Sequence, residues 1–274
     1  RISLAKLIEV NKSLLFSGAT ITEVNVVRKH LSLVKGGGLI KPLYPASIIS
    51  VVASDVPGND LSVIASGPTV KDDTTKKEAL EVLKKYNLFE KLNLSEDDFL
   101  ETPKEDKYFE NTTNILLLSN QTALTSMRDK AKELGWTSQI FSDRFQSQAN
   151  IAGKELIDKT PFGQILLAGG ETTVKVLHPN GKGGRNQELV LAALPYVDEN
   201  ITIVSFDSDG WDNSPFAGSI GDFLTIQKAK ELNINPEIFL QENDSFSFFE
   251  KTGDGIITDR LPSNVSDLMI VLKR

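Results

Sequence analysis

The chain has 274 residues, with 30 Lys and Arg against 37 Asp and Glu for a formal net charge of −7, and it contains no cysteine. Disulfide scaffolds, cysteine-built zinc sites and thiol nucleophiles are therefore excluded, and the acidic balance argues against nonspecific nucleic-acid binding. At 40% hydrophobic and 24% charged residues the composition is globular, and the length suits about two domains of ~100–200 residues each.

No apolar run, 48–53 and 115–118 included, approaches the ~20 residues of a membrane span. No charged n-region followed by an apolar h-region opens the chain, so it reads as a soluble cytoplasmic protein. The first residue is Arg1 rather than Met, in what already reads as a helical approach, and a missing upstream segment is expected.

Leu4, Leu7, Ile8, Leu14 and Leu15 recur at helical spacing up to Ser17-Gly18, where a helix ends well. Over 20–35, Val24, Val27, Leu31 and Val34 form an apolar stripe, and Asn25, Arg28, Ser32 and Lys35 a polar one beside it. Gly36-Gly37-Gly38 ends that helix. The run 46–53 is β-branched and apolar, which predicts a strand buried on both faces of a parallel sheet. A second broken segment follows at 63–69, then a charged amphipathic helix over 76–86 and a polar, aperiodic stretch over 93–113. From there strands at 114–119, 137–141, 164–168 and 201–206 alternate with helices at 121–134, 145–159 and 186–194, the pattern of βαβ units. Residues 171–177 alternate like a strand, and the tail predicts a helix over 223–232 and strands at 255–258 and 268–272. The resulting domains are 1–90, a linker or surface excursion at 91–113, and an α/β domain over 114–274.

Ligands in open α/β sheets sit beyond the carboxyl ends of parallel strands. Here those ends read Ser54-Asp55, Ser66-Gly67-Pro68-Thr69, Gly169-Gly170-Glu171-Thr172 and Asp207-Ser208-Asp209-Gly210. Any one fits a cap or turn; their recurrence favours a site. The segment Gly181-Lys182-Gly183-Gly184-Arg185-Asn186-Gln187-Glu188 combines free glycine amides, a helix N-terminus and a guanidinium into a candidate anion cradle. Alone it also fits a turn into a helix. It is neither a dinucleotide fingerprint nor a P-loop. Asp207, Asp209 and Asp212 lack a calcium loop's third ligand, since Trp211 stands there, whereas a magnesium-phosphate role needs fewer carboxylates. His30 and His178 offer no metal spacing. Positive charge from Arg28, Lys35 and Arg185, glycine turns, and the carboxylates Asp55, Glu171 and Asp209 suit phosphoryl transfer.

The ordered set Asn25 to Gly38, Ser54-Asp55-Val56-Pro57-Gly58, Ile64 to Thr69, Gly169 to Thr173, Gly183 to Glu188 and Asn264-Val265-Ser266-Asp267 resembles the type-2 glycerate kinases, the MOFRL family. The resemblance implies a two-domain α/β fold with parallel or mixed sheets flanked by helices, a Rossmann-like first domain incomplete here, and an active site in the interdomain cleft. It implies transfer of the ATP γ-phosphoryl to D-glycerate, usually at the 2-hydroxyl, with Mg2+. Members of that family carry a further Rossmann-like stretch upstream with a catalytic lysine, which accounts for Arg1.

By the same resemblance Asp55 is the catalytic aspartate and Arg185 the catalytic and substrate-binding arginine, with Asn186 and Arg28 also on the substrate. Lys35, Gly36, Gly37, Ser66, Gly67 and Asp209 fall to the nucleotide, Asp209 also to the metal. Two segments depart from the family pattern: 207–213, where Trp211 and Asn213 stand, and 258–265. A nicotinamide-dependent hydroxypyruvate or hydroxy-acid reductase is the competing expectation, and a noncatalytic binding fragment a third. The expected partners are small molecules, D-glycerate and a nucleotide, with no nucleic acid or membrane partner and with homo-oligomerisation open.

Overall fold

The computed structural model describes residues 2–274; the expectation attached to Arg1 lies outside them. The chain groups into two compact units, the first running to Val52 and from Asp60 to Leu117, the second comprising Ala53–Asn59 and Leu118–Arg274.

In the first unit, α1 (Leu4–Phe16) begins where the Ser3 hydroxyl accepts the Lys6 amide. The next helix, α2 (Ile21–His30), starts on a reciprocal capping box between Thr20 and Glu23, which satisfies two orphan amides. This helix stops five residues short of the predicted end. The Ser32 hydroxyl accepts the amides of Val34 and Lys35 in a local turn, and Gly36 and Gly37 then take φ of 57° and 78°, closing off further helix. After β1 (Ile48–Ala53) come α3 (Lys76–Lys85) and α4 (Leu88–Lys91), then β2 (Thr112–Leu118). Val10 and Leu14 of α1, Val24 and Val27 of α2, and Leu80 and Leu83 of α3 share one core with Leu92, Leu94 and Phe99. Residues 91–113 are thus part of the packed unit in the structure, since their apolar side chains complete its core.

Strands β1 and β2 form a two-stranded sheet. Ile48 N donates to Asn111 O and Ser54 N to Leu118 O, so the two run in parallel. The expected burial of β1 on both faces does not occur: its burial alternates, with Ile49 71% and Val51 60% exposed.

The second unit continues with α5 (Asn120–Glu133), β3 (Thr137–Phe145), α6 (Ala149–Lys159), β4 (Gln164–Gly170), α7 (Arg185–Ala193), β5 (Ile201–Asp207), β6 (Gly218–Gly221), α8 (Phe223–Glu231), α9 (Pro236–Gln241), α10 (Ser245–Thr252), β7 (Gly255–Ile256) and β8 (Asp267–Lys273). Its sheet has the order β3-β4-β8-β5-β6-β7. Only β3 and β4 are parallel; β8 lies antiparallel between β4 and β5. Residues 171–177 do not form the predicted strand, because their one ladder contact is a single bridge between Thr173 and Gln148. From Asn186 to Ala193, α7 is buried throughout, packed against α6 where Gly153 lets Leu189 and Ala193 approach. Among the described residues no helix is long and apolar enough to cross a membrane.

Candidate active site

The register of β8 builds the site. Because β8 runs against both neighbours, its first residue lies level with their last: Asp267 pairs with Gly170 of β4 and with Asp207 of β5. Glu171 follows directly after β4. Gly170 has φ of 150°, and a side chain there would meet the Phe145 carbonyl oxygen at 2.2 Å, so only glycine permits this exit from the strand.

Arg185, the first residue of α7, reaches all three carboxylates. Its Nε donates to Asp267 Oδ2 at 2.6 Å and its Nη2 to Asp267 Oδ1 at 3.0 Å, with Glu171 Oε1 at 3.1 Å and Asp207 Oδ2 at 3.4 Å. This grips one edge of the guanidinium in the bidentate geometry that suits a carboxylate and leaves Nη1 without a hydrogen bond among the described residues. Burial opposes the Arg185 charge, but Asp267, Glu171 and Asp207 outweigh it and raise its pKa. Burial pushes Asp267 up to about 7 against the pull of Arg185. It also pushes Asp207 up to about 6, helped by the neighbouring Asp209 charge and opposed by the Asp209 amide and Arg185.

The glycine segment before α7 differs from the expected open cradle. Asp212 occupies it: its carboxylate accepts the backbone amides of Asn186 and Gln187 and both their side-chain amides. Gly184 is required for that approach, since a Cβ there would lie 2.2 Å from Asp212 Oδ1. The positive end of α7 is thereby neutralised from within the chain. Asn186, expected on the substrate, is fully buried; its amide joins Asp212 to Asp267 and accepts the Ser205 hydroxyl, so it positions carboxylates instead. Asp209 caps the turn after β5 by accepting the Trp211 amide, while its own amide donates to Asp207.

Arg185, Asp207 and Asp212 line a cavity of about 550 Å³ with Thr172, Glu188 and Trp211. The Thr172 hydroxyl is buried there without a hydrogen-bond partner among the described residues. Asp55 is exposed in the turn where Ser54 caps the Val56 amide, with no hydrogen bond or ion pair of its own among the described residues; none joins it to Arg185.

In the first unit the structure brings together Lys35, Gly36, Gly37, Ser66 and Gly67. The Gly36 and Gly37 amides donate to the carbonyls of Ser66 and Gly67, and the Lys35 amine donates to the Ala65 carbonyl. These contacts hold a left-handed stretch in which Ala65, Ser66 and Gly67 have φ of 51°, 60° and 62°; non-glycine residues persist in that region only under such constraint. The glycine amides are therefore engaged within the chain. Arg28 donates to Asn11 at 2.7 Å. His30 is structural, bridging Leu100 and Thr74, and His178 is an exposed residue beside Glu242.

Sequence reasoning assigned no role to Asp267 or Asp212. Asp267 stands in the quoted Asn264-Val265-Ser266-Asp267 motif, which is the available signal; Asp212 had only its place among the acidic residues after β5.

Residues 1–101 match a domain family of unknown function, DUF4147, and residues 164–267 match the MOFRL family. The glycerate 2-kinase of Pyrococcus horikoshii is 37% identical over 99% of this chain and 66% of its own length. The D-glycerate 2-kinase of Thermotoga maritima is 36% identical over 99% of this chain and 67% of its own. The crystal structure of glycerate kinase from Thermotoga maritima superposes with a TM-score of 0.89 at 35% identity, covering 100% of this chain and 68% of that one. A relative from Agrobacterium vitis, 35% identical over 96% of this chain and 72% of its own, bears a provisional hydroxypyruvate reductase name. The chain spans about two thirds of the length of the first two relatives. With matches of this extent at both ends, the chain belongs to the glycerate 2-kinase family whose members carry the MOFRL domain.

Proposed function

We propose that the protein is an ATP-dependent kinase that phosphorylates D-glycerate at its 2-hydroxyl. The observation that carries this reading is Arg185, locked along one edge by Asp267 with Nη1 left over, on the wall of a cavity that also holds Asp207. A fixed guanidinium of this kind stabilises charge on a moving phosphoryl group without reorganising. Asp55, exposed and with no hydrogen bond or ion pair among the described residues, suits the group that orients or deprotonates the acceptor hydroxyl. Among the described residues no group of three or more His, Cys, Asp or Glu is placed to hold a metal alone. Magnesium needs less: one or two carboxylates, with phosphate and water for the rest. Asp207 and Asp209 fit that demand, and the ion would neutralise charge between the phosphates.

The test is turnover of ATP with D-glycerate by the full chain, with phosphorus NMR of the product to separate 2-phosphoglycerate from 3-phosphoglycerate. The expected product is 2-phosphoglycerate, formed with Mg2+ and lost on chelation with EDTA. The Agrobacterium name favours a second reading, a hydroxypyruvate reductase, although no Gly-x-Gly-x-x-Gly fingerprint occurs in the chain. NADH oxidation with hydroxypyruvate, in the absence of glycerate-dependent ATP turnover, overturns the kinase reading.

A further inference from the structure

The cavity beside Arg185 is larger than the acceptor requires. A three-carbon acid fills a small part of about 550 Å³, a volume in the range that encloses a ligand of nucleotide size. Its lining combines the charged Arg185 and Asp207 with the apolar Val174, Val176 and Trp211. Trp211 is 37% exposed, an indole left open at the wall of a polar cavity.

The backbone that carries that indole is fastened in place. The Trp211 amide donates to Asp209 Oδ1 at 2.8 Å. Gly210 before it has φ of 83°, and a Cβ there would lie 2.0 Å from the Asp259 carbonyl oxygen, so the two loops touch through bare backbone. The Leu261 amide donates to the Asp209 carbonyl at 2.7 Å and fastens them together. On the ring itself lies the Arg260 guanidinium, 4.5 Å from the centroid, within cation–π range. Trp211 thus carries a cation on its ring while it lines the cavity and keeps 37% of its surface exposed. An exposed indole lining a cavity that also holds a guanidinium is the chemistry that recognises a nucleobase by stacking.

The geometry points to Trp211 as the platform for the nucleobase of the phosphoryl donor, with Arg260 as its backing; this rests on the kinase reading for the identity of the ligand. Stacking gives affinity with little base selectivity, because every nucleobase has a π-face.

The experiment measures ADP binding to the full chain by calorimetry and by tryptophan emission in a Trp136→Phe background, which leaves Trp211 as the single indole of two. ADP quenches that emission saturably. Trp211→Ala weakens ADP binding by at least about fivefold, the loss expected for one stacked base. Trp211→Phe restores most of it, and inorganic pyrophosphate binds wild type and Trp211→Ala alike. Unchanged ADP affinity in Trp211→Ala overturns the platform, as does an equal loss for pyrophosphate or absence of ADP binding by the wild type. A Trp211→Ala chain that phosphorylates D-glycerate with an unchanged KM for ATP leaves the kinase reading intact without the platform. A wild-type chain whose ADP affinity depends on Trp211 but which phosphorylates nothing does the reverse.

Discussion

Arg185 is held by Asp267 through two parallel hydrogen bonds, a fork that a lysine cannot reproduce. Arg185→Ala is expected to lower kcat/KM by on the order of 10²-fold or more, as loss of one preorganised transition-state donor does, and Arg185→Lys to recover little of it; steady-state kinetics with D-glycerate check both. The carboxylates around it make activity and stability respond to pH in opposite directions. Burial raises Asp207 to about 6 and Asp267 to about 7, above an ordinary aspartate at about 4. Protonation below those values loosens the grip on Arg185, so kcat/KM falls on the acid side. The stability these two groups contribute runs the other way: the native state holds their protons more tightly than the unfolded chain, so it is full below about pH 4 and is lost as pH rises through about 6 to 7. Asp207→Asn is expected to flatten the thermal-stability profile over that range and remove the lower part of the acid limb, read from melting and rate profiles. Arg185 stands out in the sequence as a candidate because its glycine-flanked motif is local. Its main partner lies 82 positions away, and no local spacing connects the two.

Helix α7 sets the site at the level of elements, since its first residue is the guanidinium and its next eight are buried. That position depends on Gly153 in α6, where a Cβ would come within 2.6 Å of Ala193 Cβ and 2.7 Å of the Leu189 carbonyl oxygen. Gly153→Ala would gain up to about 1 kcal/mol in helix propensity, but the overlap costs about 1–3 kcal/mol. The net expectation is a lower denaturation midpoint, and an unchanged or raised midpoint contradicts the packing account. Helices such as α1 and α3 were readable because their stripes and caps lie within a few residues of each other. Residues 171–177 misled because an alternating pattern records side-chain polarity, not strand pairing, and only Thr173 joins a ladder bridge. The end of α2 was overestimated for a similar reason: its stripe continues past His30, but the Ser32 hydroxyl offers the backbone a turn instead.

For the whole molecule, the net charge of −7 does not describe the site, where one arginine is surrounded by carboxylates that folding brings together. The α/β class followed from the alternation of strands and helices. The sheet order did not, because βαβ reasoning predicts parallel neighbours and is silent on an antiparallel strand inserted between them. That insertion also fixes an order of events in time. β8 is synthesised after every other strand, yet it occupies the place between β4 and β5, so both must wait with open edges until residues 267–273 arrive. Contacts of such long sequence separation form slowly. During refolding, far-UV helicity is therefore expected to return before glycerate-dependent turnover, and simultaneous recovery of the two signals would contradict this order. The carboxylate that grips Arg185 rides on the strand that closes the sheet, so the proposed activity would report that the sheet is complete.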